Sequence, residues 1–482
     1  MANFVGFLKH GGNYLIASVA TSALAFVSIP VYTRLLSTED YGVVSIFMGV
    51  VSLLASIMSF STDRSISRYF FDQENELDFK KFVGTSSILA FAFFIFNSIL
   101  LFLFADEFGK VVGLDRNAVF LIIPITAINI IGLTFEQIYG PLKRSKEIAI
   151  SSVARVFAGF AFSVSIILLF KENKFYGQIL GQVLAGLFMV FFWIRLIKPY
   201  LNWSFDTSYI RYIFLYSVPL IPYALSGVII EQFGKIAIGS SQSLSEAGFY
   251  NLALTISSIV NIVIAVTHQA WNPYYFEYMN SKNYKQLDSD FIRIFRLTIL
   301  VAFGVACFGK EIGLLLAKKE FSGALYLVPV FTIGYIFSQL SFAYIRNFGY
   351  TKKTQYMTIT ILVSGMSNVI FNIFFIKLFG ELGAAISFVL SYIIMTLLAW
   401  LINMYFVKLH TTPLKQLIIP LTITIPFYGI LFFVMRTETL LLGIIIKAFL
   451  FCIFTTIIFW TDRKDIKSFV VKNLRVKISK IA

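Results

Sequence analysis

The chain has 482 residues, of which 58% are hydrophobic, 17% aromatic and only 13% charged. Soluble domains carry about a quarter charged residues, so the apolar excess must face lipid, which excludes a soluble enzyme, a disordered chain and a fibrous protein. A porin-type barrel is excluded as well, because its strands would alternate apolar and polar residues, whereas the apolar runs here are continuous.

The net charge is +15, from 40 Lys and Arg against 25 Asp and Glu. In a soluble chain this would point to nucleic acid; in a membrane chain it reports loops facing anionic lipid, so no nucleic-acid partner is expected. Cys307 and Cys452 each lie inside an apolar run, and His10, His268 and His410 are far apart. Neither set has the spacing of a disulfide framework or a metal site. No cofactor, metal or catalytic group is expected.

From the N-terminus, Lys9 precedes an apolar run long enough to span and without a small-residue cleavage site, which reads as a first transmembrane helix rather than a signal peptide. Fourteen spans are predicted near 13–34, 43–62, 83–105, 118–138, 148–170, 176–197, 213–238, 247–267, 294–317, 325–345, 355–376, 382–407, 416–435 and 439–460. At about 1.5 Å per residue each covers a hydrocarbon core of roughly 30 Å. The fold class expected is an all-α polytopic membrane protein.

An even count puts both termini on one side. With that side taken as the cytoplasm, 27 Lys and Arg fall in segments on it and 9 on the other, while Arg155, Lys235, Lys310 and Lys447 remain inside spans. The bias obeys the positive-inside rule. Trp193, Trp203, Trp271, Trp400 and Trp460 also fall toward that side. The longest connections, near 63–82 and 268–293, are predicted as cytoplasmic loops too short to fold as domains. From Arg463 to Lys480, Ile466, Phe469, Val470, Leu474 and Ile478 recur among basic residues. That tail is either an amphipathic helix on the anionic inner leaflet or a frayed basic end.

Fourteen spans divide as six, six and two, and a faint repeat supports the division. Asp40 stands two positions before Gly42, which opens span 2; Glu246 stands two positions before Gly248, which opens span 8, 206 residues later. Parallel repeats of this kind place a pseudo-two-fold axis along the membrane normal, with a substrate path between the halves. The expected domains are an N-terminal lobe at 1–205, a C-terminal lobe at 206–411, two extra helices at 412–462 and the basic tail at 463–482.

The stretch Pro30-Val31-Tyr32-Thr33-Arg34-Leu35-Leu36-Ser37-Thr38-Glu39-Asp40-Tyr41-Gly42 resembles the N-terminal signature of the polysaccharide-repeat (O-antigen type) flippases. These belong to the multidrug/oligosaccharidyl-lipid/polysaccharide exporter superfamily. Ser217-Val218-Pro219-Leu220-Ile221-Pro222 and Gln269-Ala270-Trp271-Asn272-Pro273-Tyr274 are similar to the second-half pattern. Many relatives carry an Asp-Arg pair late in span 7, where this chain has Glu231-Gln232-Phe233-Gly234-Lys235. The resemblance implies a two-lobed transporter in the cytoplasmic membrane. Its cargo would be an oligosaccharide on undecaprenyl pyrophosphate, carried outward for O-antigen, capsule or exopolysaccharide synthesis. A polysaccharide polymerase and a chain-length regulator would be further partners.

Such a cargo needs a hydrated path with cations for the pyrophosphate and polar groups for sugars, since unpaired polar groups in hydrocarbon cost several kcal/mol. Intramembrane charges are therefore the first candidates. Arg155, about 10 Å into span 5, either grips a pyrophosphate bidentately or snorkels or pairs with Glu136. Arg34 either receives phosphate at the external end of span 1 or anchors the interface beside Glu39 and Asp40. Arg64 and Arg68 share a face if helix continues past span 2, and either recruit the headgroup or form a solvated cluster. Glu231 and Lys235 are four apart on span 7 and can pair, as a structural bridge or a switching one. Lys310, Glu311 and Lys447 rank lower; Lys447 is expected to snorkel or pack on the second lobe. Asn368 and Asn372 share a face of span 11, for sugar or for interhelical bonds. Pro30, Pro219 and Pro222 put kinks in the first helix of each lobe, and Gly177, Gly181 and Ala185 form a packing stripe on span 6. The rival functions are a cation-coupled multidrug exporter, disfavoured by few deep carboxylates, a peptidoglycan-precursor flippase, and a membrane glycosyltransferase or polymerase, disfavoured by short external loops.

Overall fold

In lipid a backbone must satisfy its own hydrogen bonds, and long apolar runs do so as helices. A computed structural model describes residues 2–434 and 440–459, with side chains over 16–434 and 442–458. The first half holds α1 (Ala2–Leu35), α2 (Thr38–Met58), α3 (Asp63–Tyr69), α4 (Glu76–Leu103), α5 (Ala105–Val112), α6 (Arg116–Tyr139), α7 (Ser145–Ile167) and α8 (Phe175–Ile197). The second holds α9 (Ser208–Ser241), α10 (Leu244–Ser257), α11 (Ile259–Asn280), α12 (Tyr284–Leu316), α13 (Val328–Tyr350), α14 (Thr354–Phe379) and α15 (Glu381–Ile402), followed by α16 (Leu414–Val434) and α17 (Leu440–Phe459). Thirteen described stretches, α10 and α11 counting as one, are long and apolar enough to cross a membrane, and Leu442–Ile458 adds a shorter apolar helix. The chain is an all-helical, multi-pass membrane protein. The basic tail at 463–482 lies outside the described residues.

The halves repeat their packing. In the first, α1 lies on α7, α7 on α8 and α6 on α8; in the second, α9 lies on α14, α14 on α15 and α13 on α15. The lobes meet where α2 packs against α9 and α10. There the faint repeat acquires a physical meaning. Ser37 caps α2, its hydroxyl accepting from the Asp40 amide at 3.0 Å, and Ser243 caps α10, accepting from the Glu246 amide at 3.1 Å. One turn on, Gly42 lies against the Leu244 carbonyl and Gly248 against the Thr38 carbonyl, so a Cβ on either would collide with backbone. Each glycine thus meets the residue four positions before the other, the reciprocity that a pseudo-two-fold demands. Thr38 and Ser245 hydroxyls bond across the crossing at 3.0 Å. The glycine stripe on α8 works similarly within a lobe, with Gly177 set against the backbone of Ile167 and Gly181 against that of Ser163.

Two predicted loops are largely helical. Span 2 ends at Met58, Phe60 and Ser61 turn through the left-handed region at φ 54° and 51°, and α3 then starts at Asp63. This turn is buried, and hydroxyls satisfy it: Ser86 donates to the Thr62 carbonyl at 3.0 Å and Ser59 to the Ala55 carbonyl at 3.0 Å. A polar turn survives at that depth because protein groups replace water. Near 268–293, α11 runs through Pro273 to Asn280 and α12 starts at Tyr284. Hydropathy reads those turns as loop because their polar residues face outward, while Trp271, Tyr275 and Met279 are buried.

The linker between lobes is pinned. The Asn202 amide donates to the Lys80 carbonyl at 3.1 Å, and Thr85 donates to the Ser204 carbonyl at 3.1 Å. Asp206 accepts from the Ser208 amide and hydroxyl at 2.9 and 2.7 Å, bonds that hold its carboxyl below the usual carboxylate range. Beyond it, Tyr209 donates to Asp78 at 2.6 Å and Tyr212 to Asp72 at 2.7 Å, while Tyr69 stacks on Phe82 at 3.8 Å between them. The start of α9 is thereby tied to the first lobe and its far end to the crossing.

The crossing is testable. A Thr38→Cys/Ser245→Cys pair should form an intramolecular disulfide on mild oxidation, because the parent hydroxyls are in contact. Adding Gly42→Leu should cut the cross-linked fraction several-fold and lower the melting temperature, since forced overpacking costs about 1–3 kcal/mol.

Candidate functional site

Three helices of the first lobe build a seat for Arg155. Its guanidinium is half-buried, Nη2 donates to Asn129 Oδ1 of α6, and Cζ lies 5.6 Å from the centre of the Trp193 ring of α8. The indole is itself fixed, donating to Ser151 at 2.6 Å, and Gly132 leaves room for its edge. Glu136 is within electrostatic reach of Arg155 and of Asp63, yet no carboxylate stands at ion-pair distance from Arg155 among the described residues. The pairing with Glu136 considered from sequence is therefore long-range only.

Asp63 is buried in the broken turn after α2, accepting from Ser59 at 3.3 Å. Its neighbour Arg64 is half-buried and lies within electrostatic reach of Tyr223 on α9, across the lobe boundary. Span 2 breaks before Asp63, yet α3 carries both Arg64 and Arg68 four positions apart, the spacing of a shared face. Arg68 is exposed and pairs with Asp72 at 3.1 Å. Arg64, Asp63, Glu136 and Arg155 thus lie each within electrostatic reach of the next, Arg64 being the member that faces α9.

On α9, Lys235 is 6% exposed and donates to Asn251 Oδ1 of α10 at 3.3 Å, its stem lying against Gly49 of α2. The direct bridge to Glu231 is absent at ion-pair distance, because the lysine reaches across to α10 rather than back along its own helix. Tyr41 of α2 lies near the same Asn251, so polar groups of both lobes meet at this interface. Arg34 stays apart: it is exposed and donates to the Pro30 carbonyl of its own helix at 2.9 Å, while Asp40 is occupied by the α2 cap. Asn368 and Asn372 are 1% and 0% exposed, with Asn368 donating to Ser391 at 3.1 Å and Asn372 to the Asn368 carbonyl at 2.8 Å. Asn368 holds α14 to α15, Asn372 braces it from within α14, and both are buried. Lys447 neither snorkels nor stands free; it pairs with Glu311 at 2.7 Å and ties α17 to α12.

Sequence reasoning missed two residues. Asp63 looked like the solvated start of a loop, and nothing in Ser-Thr-Asp-Arg signals burial. Arg346 was counted as a loop charge, but its guanidinium lies 4.3 Å from the centre of the Trp271 ring. The only available signal was that Trp271 belongs to the Gln269–Tyr274 motif. No group of three or more His, Cys, Asp or Glu among the described residues could hold a metal.

Residues 7–279 match the family described as polysaccharide biosynthesis protein, and the chain belongs to that family. It is 20% identical over 394 residues to a probable low-salt glycan biosynthesis flippase of Haloferax volcanii, covering 80% of each chain. It is 23% identical over 334 residues to Lsg locus putative protein 1 of Haemophilus influenzae, covering 66% of this chain and 79% of that one. The fold is similar to the lipid II flippase MurJ in an inward closed conformation, with a TM-score of 0.69 at 14% identity, covering 92% of this chain and 98% of that one. A multidrug resistance MATE family transporter in an inward-facing conformation gives a TM-score of 0.62 at 14% identity, covering 82% of this chain and 98% of that one. The fold is thus one shared with solved flippases and transporters.

The Lys447–Glu311 pair separates structural from transporting charges. Lys447→Met should destabilise the protein by about 3 kcal/mol or more, because it leaves a carboxylate unpaired between helices. Adding Glu311→Gln should restore most of the loss. Thermal unfolding in detergent checks both, and equal melting of the single variant and the parent would contradict the assignment.

Proposed function

We propose that the chain is a flippase for anionic lipid-linked oligosaccharides, moving undecaprenyl-pyrophosphate-linked repeat units outward across the cytoplasmic membrane by alternating access. The observation that carries this is the Arg155 seat. A permanent cation is oriented by an amide and an indole, with no carboxylate at ion-pair distance, and one edge of the guanidinium is left for a phosphate. Arg64 at the lobe boundary and Lys235 near the crossing would meet the same headgroup earlier and later on its route. On this reading both termini lie in the cytoplasm, which the basic loops support, and the lobes divide at 205/206 and 411/412. A polysaccharide polymerase and a chain-length regulator would receive the product. The glycan-flippase name of a relative and the flippase fold support this reading.

One observation favours a second reading, a cation-coupled exporter. Asp63 is 3% exposed and within reach of Glu136, so the first lobe holds deeper carboxylates than the sequence suggested.

In a strain whose surface polysaccharide depends on this chain, Arg155→Ala should abolish the polysaccharide at unchanged protein level. Arg155→Lys should rescue it only partly, because the bidentate fork is lost. Full polysaccharide from the alanine variant would refute the assignment.

Transport itself should follow the membrane potential. Outward movement of net negative charge from a negative interior gains about 2.3 kcal/mol per charge per 100 mV, provided no cation leaves with it. In proteoliposomes with a potassium-diffusion potential and no pH or Na⁺ gradient, reversing the potential should slow flipping. A rate indifferent to the potential, but dependent on a Na⁺ or H⁺ gradient, would favour the exporter reading instead.

A further inference from the structure

Buried polar groups in a folded protein are almost always bonded, so the exceptions deserve a cause. Among the described residues, the buried side-chain nitrogens without an acceptor are Trp271 Nε1, Gln339 Nε2 and Arg346 Nη1. All three stand on the facing sides of α11 and α13. The other buried atoms without partners are oxygens, placed elsewhere in the molecule. This seam therefore has a deficit of acceptors alone, which a stray packing defect does not explain.

The seam is ordered around that deficit. His268 bonds Gln339 Oε1 at 2.8 Å, leaving the amide nitrogen of Gln339 unused. Arg346 lies over Trp271 at 4.3 Å and over Tyr275 at 5.9 Å. Tyr275 is locked by its bond to Asn347, whose amide donates to Asn403 at 2.8 Å. Trp271 is 7% exposed, so its indole N–H has no access to bulk water. The nearby carboxylate, Asp288, is taken by His410 at 3.0 Å, and Arg346 has no ion-pair partner among the described residues. Trp271, Tyr275, Arg346, Asn347, His410 and Thr411 line one small pocket here. Its free space is about that of a single water, which is also the size of one phosphate oxygen.

We propose that the α11–α13 seam is an oxyanion site that takes one phosphate oxygen of a phosphorylated headgroup, with Arg346 and Trp271 as its donors. The pocket is too small to enclose the headgroup, so the remaining oxygens stay outside it. Both donors belong to residues that line the pocket, and hydrogen bonds to a full negative charge are the strong ones. The site belongs to the second lobe and is separate from the Arg155 seat in the first. Its assignment to the pyrophosphate of a lipid-linked glycan rests on the flippase reading, and gives the second lobe its own grip on the cargo.

The test is binding rather than transport. The full chain in detergent is titrated with undecaprenyl pyrophosphate, inorganic pyrophosphate and phosphatidylglycerol, each followed by native mass spectrometry, with undecaprenol as the uncharged control. Arg346→Ala should weaken binding of at least one phosphate probe by about tenfold or more, and Arg346→Lys by less. Trp271→Phe keeps an aromatic ring under Arg346 while removing the pyrrole part that carries the N–H; it should weaken the same probe by about threefold to tenfold. Undecaprenol retention should not change. The probe that shows this dependence identifies the source of the phosphate. Affinities within twofold of the parent for Arg346→Ala and Trp271→Phe, with every phosphate probe, would overturn the site. If surface polysaccharide still required the chain in that case, the flippase reading would stand; if it did not, that reading would fail too.

Discussion

Gly42 and Gly248 bring two helix backbones together at the lobe interface with no side chain between them. In lipid, helices gain no hydrophobic drive from meeting each other, so association depends on close packing and interhelical bonds. The crossing supplies both, since each glycine admits the other helix's carbonyl and the flanking Thr38 and Ser245 hydroxyls bond. Once it fixes the register, Ile46 falls against Gly239 and Gly49 against Lys235 further along the interface. Tyr41 then packs edge-on to Phe321 of the opposite lobe at 5.5 Å. The placement of Lys235 beside Asn251, and of the polar groups between lobes, follows from that contact.

The charges inside the bundle divide by what they touch. Lys447 and Glu311 satisfy each other and hold an extra helix in place. Lys235 is held by an amide between the lobes. Arg155 and Arg346 share a different pattern: each is stacked on a tryptophan, and neither meets a carboxylate at ion-pair distance among the described residues. A stacked guanidinium keeps its charge and its planar donors while its orientation is restricted. One such group stands in each lobe, α7 and α8 building the first and α11 and α13 the second. Two oriented cations in separate lobes are what the proposed pyrophosphate cargo would need.

Much of the fold was legible because lipid leaves few solutions. Apolar runs of spanning length had to be helices, and the Asp40–Gly42 and Glu246–Gly248 pairs pointed to a repeat before its use was visible. Boundaries were less legible where hydropathy and helicity part. Residues 63–82 are polar, yet α3 and the start of α4 lie there; residues 268–293 are polar on one side only, and α11 runs on through Pro273. In the site, Arg155 stood out because a charge inside an apolar run is costly wherever it points. Asp63 did not stand out because it lies among polar residues, nor did Arg346, because it falls just past the end of a predicted span, and only the fold buries their surroundings. Asn368 and Asn372 looked like candidates from their spacing, but spacing shows a shared face and not what that face meets.

The sequence by itself determined the class of the molecule: composition required lipid, run length required spanning helices, and the basic asymmetry of the loops set the expected orientation. It also carried the caps of the repeat, which act within one turn of helix, whereas the use of its glycines appears only where each meets the other helix. Which charges are paired, which are seated on indole rings and which are left with unused donors was decided only by tertiary structure. The partners of Arg155, Lys235, Arg346 and Lys447 lie on other helices, from 16 residues away for Lys235 and Asn251 to 136 for Lys447 and Glu311. A side chain's electrostatic fate depends on what stands within a few ångströms of it, and in a bundle of crossing helices that neighbour is set by packing rather than by position along the chain.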